Sequence, residues 1–119
     1  SHSFPYVAAQ IDQTTEVGID LEQPKPKLLK IAHRVLSSQE LEDAGTDITK
    51  HCVYWCAKEA LYKSYGKRGL HFANHLIVAP FVLRRGGELQ GKIVADGYSR
   101  ELGLIYSIQP DYVLVHTKI

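Results

Sequence analysis

This chain contains little cysteine, no methionine and almost no excess of either charge. These shortages narrow the classes of protein to which it can belong. Of 119 residues, two are cysteine and none is methionine. Cys52 and Cys56 lie four apart in a segment with helical periodicity, where two thiols are poorly placed for a disulfide. We therefore predict a reducing compartment and a cytoplasmic location. The 14 basic and 13 acidic residues leave a net charge of +1, which argues against a nucleic-acid binder that works through bulk charge.

Long apolar runs are missing as well. None reaches the ~18 residues that a membrane span needs, so we expect no membrane partner. Apolar residues make up 45% and charged residues 23% of the chain, close to the averages of globular domains. The length predicts a single domain over residues 1–119.

The order of the apolar runs predicts an α+β fold of two strands, three helices and then an antiparallel meander of three to four strands. The first two strands are predicted at Tyr6–Ile11 and Glu16–Leu21. The helices are predicted at Lys27–Leu36, from Ser37 to near Gly45, and at Ile48–Tyr65. The later strands are predicted at Leu76–Leu83, Leu89–Ala95, Leu102–Ile108 and Tyr112–Thr117, separated by turns at Gly86-Gly87, Asp96-Gly97 and Pro110-Asp111.

Two carboxylates close the second predicted strand. Asp20 and Glu22 are two residues apart on an extended segment, so both side chains leave the same face about 7 Å apart. Two such carboxylates repel each other unless a positive charge lies between them. Mg²⁺ is a natural partner because it prefers hard oxygen ligands and keeps positions open for water and phosphate. On spacing alone, a solvated strand end explains the pair equally simply.

The longest predicted helix carries a second charged pair. Glu59 and Lys63 are four residues apart and share one helix face, at the shoulder of the apolar stripe. From a shoulder position a charged tip can reach a cleft while its stem packs on the core. The alternative is an exposed ion pair of little consequence.

Together these segments resemble a known family. The run from Val17 to Glu22, followed by the run from Trp55 to Lys63, resembles the signature pair of the 4'-phosphopantetheinyl transferase superfamily. Ser1-His2-Ser3 resembles the motif that precedes them in the two-lobed branch typified by the surfactin-synthetase-activating enzyme, whose C-terminal half this chain would match. The resemblance implies transfer of the 4'-phosphopantetheine arm of coenzyme A to a serine of an acyl or peptidyl carrier protein, as by a holo-[acyl-carrier-protein] synthase.

The resemblance also implies roles for the two charged pairs. Asp20, Glu22 and Glu59 would hold Mg²⁺ against the pyrophosphate of coenzyme A. Lys63 would contact the phosphate under attack and stabilise charge as the pyrophosphate breaks. Phosphoryl-type transfer depends mainly on positioning and charge neutralisation, and a metal with a lysine supplies both.

Three further residues receive roles by the same resemblance. Glu40 would be the general base and so join Lys63 and Glu59 in the catalytic set. The spacing of Ser37 and Glu40 also predicts a capping box, and water on the metal is an alternative base. His2 would contact a phosphate of the coenzyme. Lys67 is a further candidate for coenzyme binding, although a solvated basic turn explains it as well.

The two-lobed enzymes bind coenzyme A between two halves, and this chain resembles only the second. We expect it to be a fragment of such an enzyme. Two alternatives are a homo-oligomer with the site at a subunit interface, and a non-catalytic half-domain that binds coenzyme A or a carrier protein or serves as an assembly module.

Overall fold

One long helix lies across one face of a five-stranded antiparallel sheet in the computed structural model, which describes residues 17–118. The helices are α1 (Lys27–Val35), α2 (Ser38–Ala44), α3 (Ile48–Tyr65) and α4 (Phe72–His75), and the strands are β1 (Ile19–Glu22), β2 (Leu76–Val78), β3 (Gly86–Ala95), β4 (Tyr98–Ile108) and β5 (Val113–Thr117). The strand order is β1-β5-β4-β3-β2. The predicted α+β class is confirmed. The strand predicted at Tyr6–Ile11 lies outside the described residues.

Helix α3 has the bounds predicted from the sequence because both of its ends are marked locally. The side chain of Asp47 accepts a hydrogen bond from the backbone N–H of Lys50 (3.1 Å) and caps the first turn. Gly66 ends the helix with φ 74°, a left-handed conformation that favours glycine. The predicted apolar stripe is buried: Val53, Ala57, Ala60, Leu61 and Ser64. No helix within residues 17–118, α3 included, is both long and apolar enough to cross a membrane.

The sheet meets α3 through alternate residues of its strands. In β4, Leu102, Leu104 and Tyr106 are buried, and in β5 Val113 and Val115 are buried. This two-residue alternation is the one expected of strands with a single covered face. It gives the molecule one core, between the sheet and α3.

The structure corrects two of the predicted boundaries and adds one short helix. The strand predicted at Leu76–Leu83 ends at Val78, because Pro80 has no N–H to donate to a ladder. Gly86-Gly87 was predicted as a turn, yet both glycines lie in β3, where a Cβ at Gly87 would approach the Tyr106 ring to 3.3 Å. The absence of side chains there makes room for the tyrosine. Helix α4, which is only one turn long, was not predicted.

A buried tyrosine ties α3 to the segment that follows β2. Tyr54 is fully buried, and its hydroxyl donates to Asp43 Oδ2 (2.6 Å), which also accepts from the backbone N–H of Phe81 (3.3 Å). Lys50 forms an ion pair with the same oxygen (3.0 Å). Burial, and then the bond to Asp43, raise the pKa of Tyr54. The tyrosine therefore acts as a permanent hydrogen-bond donor.

We expect Tyr54→Phe to lower the free energy of unfolding by about 2 kcal/mol, since a buried bond to a charged acceptor is lost while the ring packing remains. Urea unfolding measures the change. Tyr62→Phe is the matched control on the same helix, because the contact of Tyr62 with Phe72 is made by its ring and is kept in the variant. Equal losses in the two variants would contradict a role for the Tyr54 hydroxyl.

Candidate active site

Gly18 brings the first strand into direct contact with α3. A Cβ at this position would lie 1.8 Å from the backbone oxygen of Ala60, so only glycine permits the approach. The Gly18 N–H donates to Thr117 Oγ1 (3.1 Å), and the Thr117 N–H donates to the Gly18 carbonyl (2.9 Å). These bonds hold the strand against β5. Asp20, two residues further on, is thereby directed towards the helix.

Asp20 is buried and forms an ion pair with Lys63. The distance from Lys63 Nζ to Asp20 Oδ1 is 3.0 Å, and the same ammonium donates to the carbonyl of Ile19 (2.9 Å). Burial lowers the pKa of Lys63, but the hydrogen bond and charge of Asp20 outweigh it, so the pKa is raised. The other oxygen, Asp20 Oδ2, is buried and has no hydrogen-bond partner among residues 17–118. Burial, then Cys52 and then Asp20 raise the pKa of the neighbouring Cys56 thiol. A thiol is only a weak donor, and a buried carboxylate oxygen with no stronger partner favours a positive group nearby.

The two glutamates lie in the same electrostatic environment. Glu59 is half-buried, and its pKa is raised first by burial and then by the charges of Asp20 and Glu22, against an opposing effect of Lys63. Glu22 lies at the end of β1, where its carbonyl accepts a weak hydrogen bond from Cys52 Sγ (3.8 Å). These three carboxylates and Lys63 therefore influence one another through their charges, and negative charge is in excess among them.

Whether these carboxylates fit a metal ion depends on how their oxygens are placed. In the arrangement that the side chains of residues 17–118 adopt, no group of three or more His, Cys, Asp or Glu residues could hold a metal ion. One oxygen of Asp20 is already paired with Lys63, and the second is free. The donor set is nonetheless the one that Mg²⁺ prefers. Binding would therefore require these carboxylates to come closer together, and the metal remains a prediction.

Glu40, predicted as a general base, lies away from Asp20 and Lys63. Its capping box with Ser37 is confirmed, with the Ser37 N–H donating to Glu40 Oε1 (2.7 Å). Its second oxygen accepts from the backbone N–H of Val78 (2.8 Å) in β2, at the sheet edge opposite β1. Lys58 forms an ion pair with it, and the glutamate is only 1% exposed. The base role remains a prediction, and a fully paired, buried carboxylate gives it no support.

Lys58 is the residue that sequence reasoning missed. It is fully buried, with Nζ 2.5 Å from Glu40 Oε1 and 2.8 Å from the carbonyl oxygen of Phe72. Burial lowers its pKa, while the hydrogen bond and charge of Glu40 raise it. One signal was available, because Trp55, Lys58 and Tyr62 follow helical spacing and place the lysine between two aromatic rings.

Two further residues were predicted to contact coenzyme A. One lies at the periphery of the carboxylates and Lys63, and the other lies outside the described residues. Lys67 is exposed immediately after Gly66, with Nζ 6.0 Å from the centroid of the Tyr65 ring. Its contact with coenzyme A stays a prediction. His2 lies outside the described residues.

Comparison with known proteins agrees with the α+β fold. A family model described as the 4'-phosphopantetheinyl transferase superfamily matches residues 16–114, which include Asp20, Glu22, Glu59 and Lys63. No curated protein matches the chain. The match covers most of the 119 residues and every described element but the end of β5. The chain therefore belongs to the 4'-phosphopantetheinyl transferase superfamily, whose members use coenzyme A to transfer phosphopantetheine to carrier proteins.

Proposed function

We propose that this chain transfers the 4'-phosphopantetheine arm of coenzyme A to a serine of an acyl or peptidyl carrier protein in a Mg²⁺-dependent reaction, as a holo-[acyl-carrier-protein] synthase does. One observation carries the proposal. Asp20 Oδ2 is buried and has no hydrogen-bond partner among residues 17–118, the charges of Asp20 and Glu22 both act on Glu59, and Lys63 supplies a cation. This charge balance supports the binding of one positive ion, with Lys63 as the residue that would meet phosphate oxygens.

Asp20, Glu22 and Glu59 are the residues that would hold Mg²⁺. The ion would offset their mutual repulsion, which already raises the pKa of Glu59. When bound it would supply charge neutralisation at the pyrophosphate oxygens. Asp20 is buried in β1 and paired with Lys63, whereas Glu59 is only half-buried.

Lys63 would contact the phosphate that is attacked. Its stem crosses the half-buried edge of α3 while its side chain stays 34% exposed, so the ammonium can meet a ligand from solvent. In the transfer, the serine oxygen bonds to the phosphorus that bears the pantetheine arm. The bond from that phosphorus to the bridging oxygen breaks, 3',5'-ADP leaves with the electron pair, and the serine proton passes to a base. Lys63 stabilises the charge that develops on the leaving phosphate.

The partners follow from the same proposal. His2 and Lys67 would add contacts to the coenzyme phosphates. A second lobe or a second copy of the chain would cover the coenzyme from the other side. The two cysteines are free and buried, which supports a reducing, cytoplasmic setting.

Mass spectrometry tests the proposal. We expect apo acyl or peptidyl carrier protein, incubated with the chain and coenzyme A, to gain the mass of one phosphopantetheine arm with Mg²⁺ and none with a chelator. Calorimetry on the same sample should show coenzyme A binding that strengthens with Mg²⁺. Binding without mass gain on either class of carrier would contradict the transferase and favour a non-catalytic binding module.

A further inference from the structure

A buried ion pair joins four elements on the flank of α3 that faces away from β1. Lys58 projects from α3 to Glu40 of α2 and to the carbonyl of Phe72 in α4. Glu40 accepts from the backbone of Ser37 and from Val78 in β2. Lys58 is 0% and Glu40 1% exposed, so solvent does not screen the pair. Every polar atom of this junction is therefore committed to a neighbour on a different element or to the helix cap.

The same flank of α3 docks α4 by side-chain packing. The Phe72 ring lies between Trp55 and Tyr62, with centroid distances of 5.8 and 5.3 Å. Trp55, Lys58 and Tyr62 have the spacing of one helical stripe. The charged contact of Lys58 is thus enclosed by two aromatic contacts, and together the three fix how far α3 can rotate about its axis.

The rotation of α3 decides where the metal-site residues point. Lys58 and Glu59 are consecutive, so their side chains leave the helix about 100° apart. A rotation of about 10° moves a side-chain tip ~7 Å from the axis by about 1 Å. A misplacement of about 1 Å at a catalytic group can cost on the order of 100-fold in rate. We therefore expect any weakening of the Lys58 junction to displace the side chains of Glu59 and Lys63.

We infer that Lys58 and Glu40 are positioning residues for the proposed transfer: their ion pair sets the rotation of α3 and so holds Glu59 and Lys63 against Asp20. Glu40 then acts through Lys58 and not as the base. The inference rests on the proposed function for its rate effect, and on the packing of α2, α3, α4 and β2 for its structural part.

The test uses the full chain with Glu40→Gln, Lys58→Met and the double variant. We expect each single variant to lower kcat by about 50-fold, because one buried charge is left without its partner. The double variant has no buried charge, and its kcat should recover to within about tenfold of the wild type. Lys50→Met is the matched control: it breaks a less buried ion pair on the same helix and should change kcat by less than about twofold.

The pH profile separates positioning from proton transfer. If Glu40 only positions, the fall of kcat/KM on the acid side persists in Glu40→Gln. If Glu40 is the base, that acid limb disappears and the double variant is no more active than Glu40→Gln, which would overturn the inference. If a single variant fails to fold, the comparison of the double variant with the wild type decides the same question, since a missing base predicts a loss of about 1,000-fold.

A readout without turnover keeps the two proposals apart. In amide ¹H–¹⁵N spectra, the signals of Glu59 and Lys63 should shift in each single variant and return towards the wild-type positions in the double variant. Unchanged signals in Lys58→Met would overturn the positioning role. A wild-type chain whose spectra follow this pattern but that transfers nothing to either carrier would refute the proposed function and leave the positioning pair intact.

Discussion

Replacing Asp20 with asparagine is expected to lower phosphopantetheine transfer by about 1,000-fold, equivalent to about 4 kcal/mol of transition-state stabilisation. The substitution removes the carboxylate charge, including that on Oδ2, the buried oxygen with no hydrogen-bond partner within residues 17–118, and weakens the ion pair with Lys63. The fold should survive. The lysine of the lost ion pair is partly exposed and can be solvated by water, while the repulsion between Asp20 and Glu59 is relieved.

The chain offers a matched control for this change. Glu88 pairs with Lys118 at the same distance of 3.0 Å, but both side chains are exposed. Glu88→Gln should leave transfer unchanged, and the thermal midpoints of both variants should lie within a few degrees of the wild type. Transfer by the carrier mass assay and unfolding by circular dichroism give the two readouts. A large loss of stability in Asp20→Asn, with activity that falls in proportion, would assign Asp20 a structural role instead.

Local signals predicted the elements that carry this site. The capping side chain of Asp47 and the left-handed Gly66 are both visible in the sequence, so the bounds of α3 were predictable. The spacing of Glu59 and Lys63 placed them on one helix face, and that of Asp20 and Glu22 on one strand. That the two pairs meet could not be derived from spacing, because the contact joins residues 43 positions apart. Only the resemblance to a family suggested it.

The junction around Lys58 could not be predicted from the sequence, for a physical reason. An analysis of periodicity assigns a lysine to the exposed face of a helix. Lys58 is buried instead, because its charge is compensated by Glu40 on another helix. The capping box of Glu40 was predicted from local spacing, but the same carboxylate also binds Val78 in a strand 38 residues away. The role of Phe72 could not be predicted from the sequence either, since a helix of one turn is too short to show a period. Buried polar junctions of this kind are defined by tertiary contacts alone.

Gly18→Ala is expected to have the largest effect on stability, lowering the free energy of unfolding by about 3 kcal/mol or more. The added Cβ would lie 1.8 Å from the Ala60 carbonyl oxygen and 3.0 Å from the Ser64 amide nitrogen. Both are backbone atoms within α3 and cannot rotate away as a side chain can. For a domain of this size the thermal midpoint should fall by about 12 °C. Thermal and urea unfolding measure both quantities.

Gly103→Ala controls for the loss of a strand glycine as such. Its added Cβ would meet only side-chain atoms of Lys118 and Glu88, at 3.4 Å or more, so we expect a change within about 0.5 kcal/mol. The strand can relieve the clash at Gly18 only by moving away from α3, which lengthens the path from Asp20 to Lys63. Gly18→Ala should therefore also reduce transfer at temperatures well below its midpoint, where the variant is folded. Full transfer by a folded Gly18→Ala chain would mean that the contact of the strand with α3 supports the fold and not the site.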